Sequence, residues 1–166
     1  LSDVSVSADA YLGAMAGSDL YDAVLNRAAA GIAMEMLGVG CYSFEMPLDY
    51  LKTRKQFGKV IGSFQALGHR AAELYSAQEM ARSCAEAGVI AIDQGADDEA
   101  AMSAVSKAKT GEFLFDMSNQ LIQIHGGIGM TDEFDAGLYL KRARVLETTF
   151  GNQAHHRDRY ATLLGF

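Results

Sequence analysis

Apolar side chains recur at helical spacing through most of this chain, and a single proline, Pro47, interrupts them. Proline removes a backbone donor and clashes with the preceding turn, so a chain this poor in it is free to build long helices. A first stripe runs through Leu20, Ala23, Val24, Ala28, Ile32, Met36 and Val39 and on towards Lys52. Ser18 or Asp19 is placed to cap its start, and a kink or a break is expected at Pro47. A second stripe, Phe64, Leu67, Ala71, Leu74, Ala81, Ala85 and Val89, stops near Gln94-Gly95, where glycine is a natural helix end. Asp97 or Asp98 then precedes a third, through Ala101, Val105, Ala108, Phe115 and Ile122, which the glycines after His125 break. A last helical region starts near Asp132 and is interrupted around Phe150-Gly151-Asn152. Helices of roughly 30 residues are about 45 Å long. Joined by short connectors, they predict an all-α fold, an antiparallel up-down bundle over residues 17–166. Residues 3–12 alternate weakly, so 1–16 are expected to be an extended lead-in from a preceding β domain.

Composition removes several classes of function. The formal charge is -7 and the 14 Lys and Arg are scattered, so no basic face exists for a phosphate backbone, and nucleic acid is not expected as a partner. Half of the chain is hydrophobic (49%), enough for one substantial core. Cys41 and Cys84 fall inside apolar stretches and read as small core residues of a reducing compartment. Gly, Ser and charges interrupt every apolar run, so no membrane span is expected. The opening LSDVSVSADAYLG lacks the basic-then-apolar order of a secretory signal and reads as the middle of a longer chain.

Familiar catalytic and metal motifs are missing. A dimetal carboxylate bundle needs Glu three residues before His, but Ala66, Ile122, Asn152 and Gln153 hold those places before His69, His125, His155 and His156. His155 and His156 are adjacent, so on a helix their side chains diverge by about 100°, which suits a solvated or interface pair better than a chelate. Two segments exceed what a bundle requires. Arg54-Lys55-Gln56-Phe57-Gly58 is either an ordinary turn or a cationic and aromatic ledge for a phosphate and a flat ring. Gln123-Ile-His-Gly-Gly-Ile-Gly129 places three glycines in four residues, which admits close approach of a backbone or a ligand. It does not match the dinucleotide fingerprint G-x-G-x-x-G.

Taken in order, these segments resemble the acyl-CoA dehydrogenase family. Tyr50, then Arg54-Lys-Gln-Phe-Gly58, Ile61, Phe64-Gln65 and His69 follow its Y…R-x-Q-F-G…I…F-Q…H pattern, and Gln123–Gly129 matches its Q-x-x-G-G-x-G. Lys141-Arg-Ala-Arg144 sits where the family has a basic helix, and Asp3-Val-Ser-Val6 looks like the stretch before its C-terminal helical domain. The resemblance implies that domain's fold and an FAD-dependent oxidation of acyl-CoA thioesters to 2-enoyl-CoA. It further implies an electron-transfer flavoprotein or similar acceptor, and a homo- or hetero-oligomeric dimer or tetramer. A bacterial cytoplasm is expected, or the mitochondrial matrix in a eukaryote. Arg54, Gln56 and Phe57 match positions that reach the FAD of a neighbouring subunit, and Gln123, Gly126 and Gly127 the loop along the dinucleotide part of that same FAD.

One departure stands out. The family's proton-abstracting Glu lies in a Tyr-Glu-Gly-Thr loop, which corresponds here to Thr149-Phe150-Gly151-Asn152. Gly151 and Asn152 remain candidates for cofactor contact, but Phe150 cannot accept a proton. A few members carry the base on the first helix, where Ala28 stands here, and that is no acid either. The resemblance therefore leaves three readings open: a heteromeric enzyme whose partner subunit supplies the base, an enzyme with its base elsewhere, or a non-catalytic family member.

Overall fold

The computed structural model describes residues 2–10, 12 and 17–166. The expected lead-in therefore lies partly outside the described residues. Where it is described it is exposed, and in place of a strand it forms a short 3-10 turn, Ala8–Ala10, closed by Ala10 N–H donating to Ser7 O. Alternation alone makes no strand without a neighbouring strand to bond to.

Five helices follow. They are α1 (Gly17–Thr53), α2 (Gln65–Gln94), α3 (Glu99–His125), α4 (Ala136–Thr148) and α5 (Gln153–Leu163). α1 begins at Gly17, so Ser18 and Asp19 lie within its first turn rather than capping it. It runs through buried Pro47 without a break. α2 ends as expected, with Gly95 left-handed at φ 60°. Asp98 does precede α3, but its side chain makes no capping hydrogen bond. The Arg54 connector is a two-strand hairpin, β1 (Lys55–Gln56) with β2 (Lys59–Val60), antiparallel and paired Gln56 to Lys59.

Contacts fix the directions. Asn26 meets Ser103 and Tyr50 meets His125, so α1 and α3 run the same way. Gly88 lies against Ser106 and Arg70 bonds Gln120, so α2 runs against α3. α4 also runs against its neighbours, Arg142 pairing with Glu35 and Arg144 bonding Asn119. α5 continues along α3 in that sense, with Arg157 on Glu112 at 3.2 Å. This is the antiparallel bundle that the periodicity predicts.

The stripes, however, are only partly right. α3 packs against all four other helices, so it buries Phe113, Leu114, Met117 and Leu121 beside Ser103, Ser106, Lys107 and Thr110. Phe115, expected inside, is exposed, and the Arg144 guanidinium lies 4.0 Å from its ring centre. On α1 the buried apolar residues include Ala29, Ala30, Ala33, Met36, Leu37, Phe44 and Leu51, whereas Val24 is exposed. Small residues dominate there because the helices approach closely. A methyl at Gly40 would enter the Phe113 ring. Gly40→Ala is therefore expected to cost about 1–3 kcal/mol of stability by overpacking. Urea denaturation checks this, with part of the loss recovered when Phe113→Leu makes room.

Candidate functional site

The two segments singled out in the sequence meet at one end of the bundle. Leu51, Ile61 and Ile124 form a small apolar cluster that ties the C-terminus of α1, the hairpin and the C-terminus of α3 together. The hairpin turns at Phe57 and Gly58, both with positive φ (53° and 79°), as a two-residue turn between twisted strands requires. That conformation is costly for a phenylalanine. The turn thrusts its ring into solvent, 89% exposed, edge-on to Phe64 at 6.1 Å, with the Lys59 ammonium 4.3 Å from the Phe64 ring centre. Arg54 and Gln56 are exposed beside it, and Arg54 forms no ion pair among the described residues.

At the neighbouring turn α3 ends on Gly126 (φ 65°, ψ -136°), and residues Gly126–Met130 wind into a 3-10 turn. Gln123, Gly126 and Gly127 are exposed, and a side chain built on either glycine would meet nothing within 4 Å. Only Gly129 is confined from within, by His125 and the backbone of Ile122. Beneath the turn, His125 is buried between the rings of Tyr50 (4.4 Å) and Phe134 (4.2 Å). Its Nδ1–H donates to Leu121 O at 2.7 Å, and burial lowers its pKa. It is a packing residue.

Residues 149–152 stand elsewhere. They contact α3 at Lys107, about 27 Å along that helix from His125 at the helical rise. Gly151 and Asn152 therefore do not join Arg54, Gln56, Phe57, Gln123, Gly126 and Gly127 in one pocket of one chain. Phe150 has φ 56° and is half-exposed. Gly151, at φ 100°, is needed for internal reasons, because a methyl there would strike the His155 and His156 rings. Asn152 caps α5 by accepting the His155 N–H at 3.0 Å. The loop borders a cleft of about 470 Å³ lined by Glu112, Asp116, Glu147, Asn152 and Arg157. Burial, then the neighbouring Glu112 charge, raises the pKa of Asp116. No metal-binding cluster occurs among the described residues, and no helix there is long and apolar enough to cross a membrane.

Two buried polar side chains have a setting that the sequence reading did not anticipate. Lys107 is fully buried, and its ammonium donates to the carbonyls of Leu146, Glu147 and Gly151. His156, expected in a solvated or interface pair, is buried, while His155 beside it is exposed. Its Nε2–H donates to Phe150 O at 2.9 Å, and its Nδ1 has no partner. A lone lysine or histidine on a helix gives no sequence signal of this kind, because only the third dimension supplies the carbonyls.

A long α1, a hairpin, two further long helices and a broken C-terminal pair, with a glycine turn against the hairpin, define the architecture to be compared. The family model described as acyl-CoA dehydrogenase, C-terminal domain, matches residues 16–164. The chain belongs to the acyl-CoA dehydrogenase family. Acyl-CoA dehydrogenase IpdE2 of Mycolicibacterium smegmatis is 38% identical over 118 residues, which cover 71% of this chain and 36% of that protein. Among solved structures, a variant of the Tcur3481–Tcur3483 steroid ACAD superposes with a TM-score of 0.81 at 29% identity, covering 84% of this chain and 38% of that one. PigA with FAD and proline gives 0.80 at 28% identity, covering 85% and 37%. The chain thus spans well under half the length of each of these relatives.

His156 gives the domain an acid limit. Burial, followed by the nearby charges of Lys107, His155 and Arg159, lowers its pKa from 6.5 to about 4. Between those values the unfolded chain binds the proton and the folded one does not. Stability from this group is therefore complete above pH 6.5 and is lost as pH falls towards about 4. Urea denaturation across that range is expected to show the decline, with a shallower slope in His156→Gln.

Proposed function

We propose that this domain belongs to a flavin-dependent acyl-CoA dehydrogenase that oxidises the Cα–Cβ bond of an acyl-CoA to the 2-enoyl thioester. In this reading it works as one subunit of a heteromeric enzyme whose proton-abstracting carboxylate lies outside this chain. The observation that carries the reading is the contrast between the two ends of the domain. The hairpin and glycine turn keep an intact cofactor-facing surface, while the loop at Phe150 offers no proton acceptor.

The residues present fit FAD. Gly126 and Gly127 leave bare backbone open for close approach, Arg54 holds an unpaired guanidinium for a pyrophosphate oxygen, and Phe57 presents a ring face. Gln56 and Gln123 add exposed amides on the same end. Bound FAD would supply the acceptor for the hydride leaving the β-carbon. The chain's own part is to hold the dinucleotide with these residues, while Gly151 and Asn152 lie about 27 Å away along α3. Two groups so far apart on one chain suit an oligomer in which each domain serves two different cofactor sites. Phe150 would then border the thioester pocket as an apolar wall that helps to exclude water. The α-proton must leave to a carboxylate held in that dry pocket, because the carbon acid is weak. The steroid ACAD among the solved relatives, named as Tcur3481–Tcur3483, supports a paired assembly acting on a bulky thioester.

The full-length protein, isolated with whatever co-purifies, is to be titrated anaerobically with straight-chain, branched and steroid-type acyl-CoAs. Flavin bleaching only in the presence of a second subunit is expected. Bleaching by a homomer would move the base into this protein's own chain, and bound flavin that never bleaches would make it a non-catalytic member. In the same protein Arg54→Ala is expected to weaken FAD retention by about 1.5–3 kcal/mol, the worth of a charge-assisted hydrogen bond. Flavin release on dilution measures it.

A further inference from the structure

The loop around Phe150 is held from three sides, and Lys107 is the centre of that hold. The Lys107 ammonium is 3.1 Å from Leu146 O, 3.1 Å from Glu147 O and 2.9 Å from Gly151 O. It is 1% exposed and forms no ion pair among the described residues. The first two carbonyls belong to the last turn of α4, where unpaired acceptors and the helix dipole favour a cation. The third belongs to the loop itself. On the other side His156 donates to Phe150 O, and Asn152 accepts the His155 N–H. Phe150 and Gly151 thus keep φ values of 56° and 100°. Such backbone persists only where its surroundings over-determine it, and an ammonium's three donors match these three acceptors one for one.

We propose that Lys107 is the positioning residue of the 149–152 loop, fixing through its three carbonyl bonds where residue 150 stands against the thioester pocket. Lys107 itself touches neither substrate nor flavin. The catalytic half of this inference rests on the function proposed above, and the loop-holding half does not. The titratable groups that face the ammonium are Glu147, whose charge favours it, and His156, which stays neutral down to about pH 4. Burial brings Lys107 down to about 8. Above that pH an amine with two hydrogens faces three carbonyls, and one acceptor is left unmatched.

The test uses the holoenzyme that contains this domain, with Lys107→Met, which keeps the length of the side chain and removes its donors. Hydrogen exchange is expected to show protection at the amides of Gly151, His155 and His156 falling about tenfold or more, while α1 and α2 keep theirs. FAD occupancy and KM should change less than kcat, which should fall roughly ten- to a hundredfold, as for a misplaced group near the reacting atoms. Unchanged loop protection, or an even loss across the bundle, would overturn the proposal. So would a loosened loop with normal kcat. Should Lys107→Met fail to fold, the unmodified protein decides. Protection of the same three amides, corrected for the intrinsic rate, must fall as pH rises through about 8. Protection independent of pH there sinks the inference. If no acyl-CoA reduces the flavin of the unmodified protein, the proposed function fails, and exchange alone still judges the clamp.

Discussion

Helix α3 packs against all four other helices, and this confinement governs the rest of the domain. Surrounded by α1, α2, α4 and α5, it must find partners within the fold for most of the polar groups it buries. Ser103 does so by donating to Asn26 O at 2.7 Å, and Thr110 by bonding back to Ser106 O at 2.8 Å. Lys107 carries a full charge into the same interior and reaches the carbonyls that α4 leaves unpaired at its end. A buried cation without a carboxylate is tolerable only because those acceptors are numerous and well aimed. The close approach that α3 demands also explains the small residues at its contacts, with Gly88 against Ser106 and Gly40 against Phe113.

That confinement also marks the limit of what the sequence discloses. Helix number, approximate ends and antiparallel order follow from periodicity, glycine and the lone proline, because they depend on local rules. Which face of each helix is buried does not follow when a helix is enclosed. On α3 the expected stripe through Val105 and Phe115 competes with Phe113, Leu114 and Leu121, and the burial of several faces blurs the period. Pro47 carries no break because the helix accommodates it at a buried position. The hairpin and the glycine turn were legible as segments, since glycine beside aromatic and cationic residues is unusual in a plain connector. Their meeting at one end follows from the same up-down order, which makes α1 and α3 run in the same direction.

The same parallel course separates the hairpin end from the Phe150 loop by most of the length of α3. In the proposed reading a single chain therefore offers two half-sites rather than one site. Each half is shaped by different physics. At the hairpin end, exposed cationic, aromatic and bare-backbone surface is open to a partner, and apart from the positive φ of Gly58 and Gly126 little internal structure would resist substitution there. At the loop, every special feature has an internal explanation: Gly151 by the histidine rings, Asn152 by the α5 cap, Phe150 by the bonds to its carbonyl and its neighbour's.

This difference bears on how, in the proposed reading, such a loop can carry no acid and keep its shape. Carbonyls, a glycine and an N-cap define the backbone at 149–152, and none of them depends on the side chain at position 150. Residue 150 is thus the one position in the loop that can change its chemistry without releasing the backbone around it. A glutamate and a phenylalanine would stand on the same support, one as a proton acceptor and the other as an apolar wall. The support contributes to the fold whichever of them it carries, since Lys107 would otherwise be a buried charge without acceptors. Loop geometry therefore says little about the chemistry presented there, and the residue at its tip says most.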